Sequence, residues 1–166
     1  MRAAIADPPY IGQAIKHYGH LGGSEVDHAE LVPRLVRDYD AWALCLSSPT
    51  LKYILSLCPA DVRVAAWVKP FASFKPGVNP AYAWEPVIFH GERKGRSRDV
   101  PTVRDWIAEP ITLKKGLAGA KPPDFCYWLF ALLGLEAGDT LNDLYPGTGV
   151  IGQCWEQFRL SKVAGF

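Results

Sequence analysis

Apolar positions along this chain fall into short runs separated by polar, glycine-rich and proline-rich stretches, and the period of each run predicts an element. Ala3-Ala4-Ile5-Ala6 is a continuous apolar run suited to a buried strand. Asp7-Pro8-Pro9-Tyr10 ends it, because proline lacks the N–H that a ladder needs. Ile11 to Ser24, rich in glycine and polar residues, reads as a mobile loop over a site. From Val26 to Tyr39, Leu31, Val32, Leu35 and Val36 recur near helical spacing, with Asp27 near the start and Pro33 within the first turns. Asp40 to Ser47 reads as a central strand, apolar on both faces. Ser48-Pro49-Thr50 opens a helix over Leu51 to Leu57, Cys58-Pro59-Ala60 ends it, and Val62 to Val68 is a third strand. Strand, helix, strand, helix, strand at this spacing predicts a parallel, helix-covered α/β sheet.

The second half is less regular. Lys69 to Tyr82 is a long loop carrying Phe71, Phe74 and Lys75, and Trp84 to His90 brings back a short strand. Gly91 to Lys115 has little periodicity. It carries Arg93, Lys94, Arg96, Arg98, Arg104, Lys114 and Lys115 against Glu92, Asp99, Asp105 and Glu109. Asp124 to Leu135 is strongly apolar at helical spacing (Phe125, Trp128, Leu129, Leu132, Leu133), and Gly134 suits its C-terminal end. Asp139 to Tyr145 then gives a strand, Pro146-Gly147-Thr148-Gly149 a tight turn, and Val150 to Phe158 a helix. A strand running through a Gly-x-Gly turn into a helix is the usual way to bring backbone close to a cofactor.

Composition narrows the class. The 166 residues, 49% apolar and 21% charged, suit one globular domain, residues 1–166, with a basic, loop-rich insertion at about 91–118. Fourteen prolines and fifteen glycines match frequent loops between short elements. A net charge of +1 leaves no overall advertisement of nucleic-acid binding, so any basic footprint is local. The segment from Gly91 to Lys115 is either such a footprint, a phosphate-contacting arm, or a solvated loop. Cys45, Cys58, Cys126 and Cys154 form no Cys-x-x-Cys pair and read as buried thiols of a reducing cell. His17, His20 and His28 lack the cysteine or acid partners of a metal site and read as loop and surface histidines. No signal peptide precedes the first strand and no apolar run approaches membrane-spanning length, so a soluble cytoplasmic protein is expected.

Candidate chemistry concentrates at two turns. The first offers an acceptor, Asp7, and a flat ring, Tyr10, on a proline-stiffened loop, which suits gripping a flat ring that carries an amino group. Asp7-Pro8-Pro9-Tyr10 resembles the catalytic motif of amino-group DNA methyltransferases, which act on adenine N6 or cytosine N4. Asp143-Leu144-Tyr145-Pro146-Gly147-Thr148-Gly149 resembles the S-adenosylmethionine-binding motif of the same enzymes. Gly119 to Phe125 is similar to the Lys-Pro element that lines the methionine side of the cofactor, and Trp84 to Ile88 to a short strand of that family. The order of these matches is that of a circularly permuted methyltransferase, similar to small phage and prophage adenine methyltransferases. The resemblance covers nearly the whole chain. It implies an α/β, Rossmann-like, S-adenosylmethionine-dependent methyltransferase sheet, permuted and shortened at the C-terminus. The family usually adds a strand whose acid binds the cofactor ribose. Ser161 to Phe166 leaves room for one short strand at most, so a minimal site, weak cofactor binding, a homodimer or a partner subunit is implied.

The resemblance also implies roles. Asp7, Pro8, Pro9 and Tyr10 are the expected catalytic residues. Asp7, Lys121, Pro122, Asp143, Tyr145, Pro146, Gly147, Thr148 and Gly149 are expected at S-adenosyl-L-methionine. Tyr10, Arg93, Lys94, Arg96 and Arg98 are expected at DNA, and no metal is expected. A solvated helix-start lysine is the alternative for Lys121, and Trp128 and Trp155 are expected in the core. The implied reaction is methyl transfer to the exocyclic amino group of a flipped base, adenine N6 by preference. The alternatives are a non-catalytic nucleic-acid-binding or scaffolding protein of the same fold, and an enzyme acting on RNA or on cytosine N4.

Overall fold

The computed structural model describes residues 1–12, 25–71, 76–95, 100–111 and 121–163, with side chains to position 161. The expectations for His17, His20, Phe74, Lys75, Arg96, Arg98, Lys114, Lys115, Gly119 and Ala120 lie outside the described residues.

Among the described residues six strands form one sheet: β1 (Arg2–Ala6), β2 (Ala41–Cys45), β3 (Arg63–Val68), β4 (Trp84–His90), β5 (Trp106–Ala108) and β6 (Thr140–Asp143), in the order β5-β3-β4-β2-β1-β6. Four α-helices among the described residues accompany them: α1 (His28–Asp38), α2 (Leu51–Leu57), α3 (Pro123–Leu133) and α4 (Val150–Val163). The continuous apolar runs became central strands for the expected reason. Every residue of β2 is buried, as are Ala3 to Ala6 of β1, because helices cover both faces.

Each face has its own core. On one, Ile5, Ala43, Trp67, Val87 and Phe89 of the sheet pack against Phe125, Leu129 and Phe130 of α3 and Ile151, Cys154 and Trp155 of α4. On the other, Ala4, Trp42, Leu44 and Ile88 pack against Leu31, Val32 and Leu35 of α1 and Ile54 of α2. Period-two alternation along the strands sorts side chains between these layers. Fully buried Trp42, Trp67, Phe89, Phe125 and Phe130 each contribute about 1.5–3 kcal/mol of burial. Trp128 and Trp155 belong to the core, as expected.

Local signals set the helix ends. The Asp27 carboxylate accepts a hydrogen bond from the Ala29 amide at 2.8 Å and caps α1. Gly134 closes α3 in the left-handed region at φ 68°. Pro33 lies on the exposed side of α1, and Val36, expected on its apolar face, is exposed.

The expectation of a parallel sheet needs correction. β1 pairs in parallel with β2 and β6, and β3 with β5, but β4 runs antiparallel to both β2 and β3. The α2 crossover carries the chain past the position beside β2, and β4 returns to fill the gap. Antiparallel pairing is available because the connection from β3 to β4 need not cross a face of the sheet. β5 was not foreseen: three residues at a sheet edge are too few for a periodicity signal. α4 also runs beyond Phe158 through Ser161 to Val163, so those residues extend a helix and form no strand.

β1 lies between β2 and β6, and the helices that follow β1 and β6, α1 and α4, cover opposite faces. The crevice above the carboxyl ends of β1 and β6 is therefore a topological switch point, where open α/β sheets bind ligands.

Candidate active site

Five elements deliver side chains to the carboxyl edge. Asp7 follows β1, Cys45 ends β2, Lys69 follows β3, and Asp143 ends β6. Glu85 joins them because β4 runs the other way, so its amino-terminal end reaches the same edge. Lys121 arrives from the segment before α3, where Pro122 and Pro123 stiffen the backbone and Pro122 is the N-cap.

Lys121 is the hub. Its Nζ lies 3.0 Å from Asp7 Oδ1, 3.4 Å from Glu85 Oε2 and 3.1 Å from the Tyr10 hydroxyl. The side chain is only 5% exposed, which replaces the solvated alternative. Three aromatic faces surround the ammonium: Tyr10 and Trp67 at 5.3 Å and Phe125 at 5.9 Å to the ring centroids. The Tyr10 hydroxyl donates to Glu85 Oε2, and the Lys69 ammonium pairs with Glu85 Oε1. Two ammoniums thus face two carboxylates in a largely buried cluster.

Burial raises the pKa of the Asp7 carboxyl, against the pull of Lys121. Burial would lower Lys121, but Asp7, Tyr10 and Glu85 outweigh it and hold the ammonium well above its ordinary range. Burial pushes Glu85 up too, and Lys121 and Lys69 more than reverse it, so Glu85 lies below the ordinary glutamate range. Burial drives the Tyr10 phenol well up, so it remains a donor, and drives the Cys45 thiol up as well.

Beside this cluster stands the second turn. Ile5 is paired with Asp143, and the Leu144 amide donates to the Ile5 carbonyl at 3.0 Å, so β6 delivers its turn next to Asp7. Asp143 Oδ1 accepts from the Tyr145 amide at 3.3 Å. Among the described residues its Oδ2 is buried with no hydrogen-bond partner, an orphan that needs explaining. Burial raises the Asp143 pKa. Gly147 and Gly149 hold φ of +46° and +74°, a region closed to most side chains. Among the described residues, a Cβ on Gly147 would meet the Tyr145 carbonyl oxygen at 3.8 Å and one on Gly149 the Gln153 side chain at 3.7 Å, ordinary van der Waals contacts, so nothing described crowds the turn. Thr148 is half-buried and Pro146 exposed there, while Tyr145 is half-buried and helps to line a pocket of about 280 Å³ with Val26, Asp27, Leu31 and Arg34. An orphaned acceptor beside an open glycine turn fits a cationic group of a small cofactor.

The two motifs expected from sequence are therefore adjacent, although they lie at opposite ends of the chain. Pro8 and Pro122 are buried and Pro9 half-buried around them. The basic segment behaves differently. Arg93 donates to both Asp139 oxygens, at 2.8 and 2.7 Å, and to the Gly134 carbonyl at 2.9 Å. Its guanidinium thus clamps the end of α3 to the start of β6, whereas Lys94 is exposed. Glu85 and Lys69 were not singled out from sequence. The available signal was an acid inside the otherwise apolar strand Trp84 to Phe89, a costly residue unless partnered. Among the described residues no group of three or more His, Cys, Asp or Glu could hold a metal ion, and no helix is long and apolar enough to cross a membrane.

No protein-family model and no curated protein matches this chain. Solved structures do match, two of M1.HpyAVI among them. The M1.HpyAVI–SAM complex superposes with a TM-score of 0.59 at 16% identity, covering 95% of this chain and 78% of that one. M1.HpyAVI alone gives a TM-score of 0.61 at 16% identity, covering 95% and 76%. At this identity the likeness establishes architecture: the chain has the Rossmann-like α/β fold of the methyltransferases.

Proposed function

We propose that this protein transfers a methyl group from S-adenosylmethionine to the exocyclic amino group of a base in DNA, with adenine N6 the preferred target. One observation carries the reading: a partly buried acceptor, Asp7, and an orphaned buried acceptor, Asp143 Oδ2, end adjacent parallel strands beside an open glycine turn. The fold shared with a protein solved in complex with SAM supports it. So does the chain order, catalytic turn first and glycine turn last, which is that of a permuted methyltransferase.

Asp143 would hold the ammonium of the cofactor's methionine portion, and Gly147 and Gly149 would let backbone approach it. Lys121 and Pro122 would line the same portion. When bound, S-adenosylmethionine supplies an electrophilic methyl group on a sulfonium that departs as a neutral thioether.

An exocyclic amino group is a poor nucleophile because its lone pair is delocalised into the ring. Asp7 and the Pro8 carbonyl would accept its two hydrogens, draw the nitrogen towards tetrahedral geometry and free the lone pair. Pro9 limits the motion of the turn. The Tyr10 ring would stack on the extruded base. Lys94, with Arg96 and Arg98, would contact phosphates. Catalysis is then mainly positioning plus electrostatics.

The test is calorimetric titration with S-adenosylmethionine, followed by tritiated-methyl transfer to mixed-sequence DNA and digestion of the product. Binding, transfer and a labelled N6-methyladenine are expected. Label on cytosine or only on RNA would change the substrate, and binding without transfer would overturn the catalytic reading in favour of a scaffold.

A further inference from the structure

Glu85 has no part in the mechanism above, yet Tyr10, Lys121 and Lys69 all converge on it. It stands near the start of β4, between exposed Trp84 and buried Pro86, and its side chain is 16% exposed. A carboxylate there is unfavourable unless fully partnered, and both of its oxygens are engaged.

Lys121 has three ammonium hydrogens and three acceptors at hand: Asp7 Oδ1, Glu85 Oε2 and the Tyr10 hydroxyl oxygen. The ammonium is therefore shared between two carboxylates. How it is shared matters, because Asp7 saturated by an ammonium is a weaker acceptor for anything else. Lys69 sets the balance from the far side by engaging the second oxygen of Glu85. The hydroxyl of Tyr10, fixed on Glu85, also fixes the plane of its ring.

We infer that Glu85 is a positioning residue for the methyl transfer: it draws the Lys121 ammonium partly off Asp7 and pins the Tyr10 ring, leaving Asp7 open to the amino group of the base. This inference rests on the proposed reading of Asp7 as the acceptor. The other groups acting on Asp7 come from every neighbouring element: Cys45 from β2, Asp143 from β6 and Cys126 from α3. None of them competes for the ammonium at hydrogen-bonding distance among the contacts of Lys121 described above.

The test compares Glu85→Gln, which keeps the volume and an oxygen for Tyr10, with the wild type. Its first readout needs no turnover: a carbon-13 NMR titration of the Asp7 carboxyl. Losing a neighbouring negative charge and gaining the whole ammonium should lower the Asp7 midpoint by about one pH unit. In methyl transfer, kcat should fall about tenfold with KM for DNA nearly unchanged, and the acid limb should move to lower pH with the NMR midpoint. An Asp7 midpoint that stays put or rises overturns the inference, as does kcat within about twofold of wild type. Lost activity with an unmoved midpoint overturns it too, since that is packing damage. If Glu85→Gln does not fold, Lys69→Met decides with the opposite sign. Glu85 then pulls Lys121 harder, so the Asp7 midpoint should rise, and a fall or no change refutes the proposal. A wild type that transfers no methyl group refutes the proposed function alone, while the carboxyl titration still decides whether Glu85 governs the ammonium at Asp7.

Discussion

Replacing Lys121 by methionine keeps the length of its stem and removes the charge at the centre of the site. Asp7 and Glu85 would then share a largely buried space with Lys69 as the remaining cation among the contacts described. Removing one partner of a buried ion pair costs about 3–5 kcal/mol, because the other charge is left uncompensated. For a chain of this length each kcal/mol lowers Tm by about 2–4 °C, so a fall of roughly 10 °C is expected near neutral pH. The pH dependence distinguishes this account from a mere packing defect. Asp7 already has a raised pKa from burial, and losing Lys121 raises it further. A carboxyl whose folded pKa exceeds its unfolded value contributes stability below the unfolded value, and loses it as pH rises through the folded one. Glu85 acts in the same direction. In the wild type its lowered pKa contributes stability above the unfolded value that is lost in acid, and the variant forfeits part of that. The deficit of Lys121→Met should therefore be largest at about pH 8 and shrink as the pH falls to about 4, into the ordinary carboxylate range. Urea denaturation at the two pH values, followed by tryptophan fluorescence, measures it. A deficit that is the same at both would refute the ion-pair account.

Asp7→Ala should lower methyl transfer by about 10²–10³-fold in the tritium assay while calorimetric affinity for S-adenosylmethionine stays within a few fold, and a fully active variant would sink the acceptor role. Gly147→Val should abolish cofactor binding by calorimetry. The valine must either adopt φ +46°, a strain of about 1–3 kcal/mol, or rebuild the turn. Gly91→Ala tests the fold away from the site. Its Cβ would lie 1.9 Å from the Asp40 carbonyl oxygen at φ +74°, so a loss of about 3 kcal/mol or more is expected in urea denaturation.

Apart from β5 and the end of α4, the elements of this protein were legible in its sequence because the signals are local. Apolar runs of strand length, Asp27 before α1, Gly134 after α3 and the glycine turn after β6 each act within a few residues. The two motifs could be read for the same reason, since each is a contiguous stretch with its own turn chemistry. Pairing is not local. That β4 runs antiparallel between β2 and β3 depends on which edge was vacant after the crossover, and no residue of β4 encodes this alone. The site depends on it directly. Glu85 reaches Tyr10 across 75 positions and Lys121 across 36, and Lys121 reaches Tyr10 across 111. Sequence determined which groups were available: an acid on an apolar strand, a lysine before two prolines, an acid before two more. Only the tertiary structure decided that they meet, because burial forces each charge to find a partner and the antiparallel strand brings the last acid to the carboxyl edge.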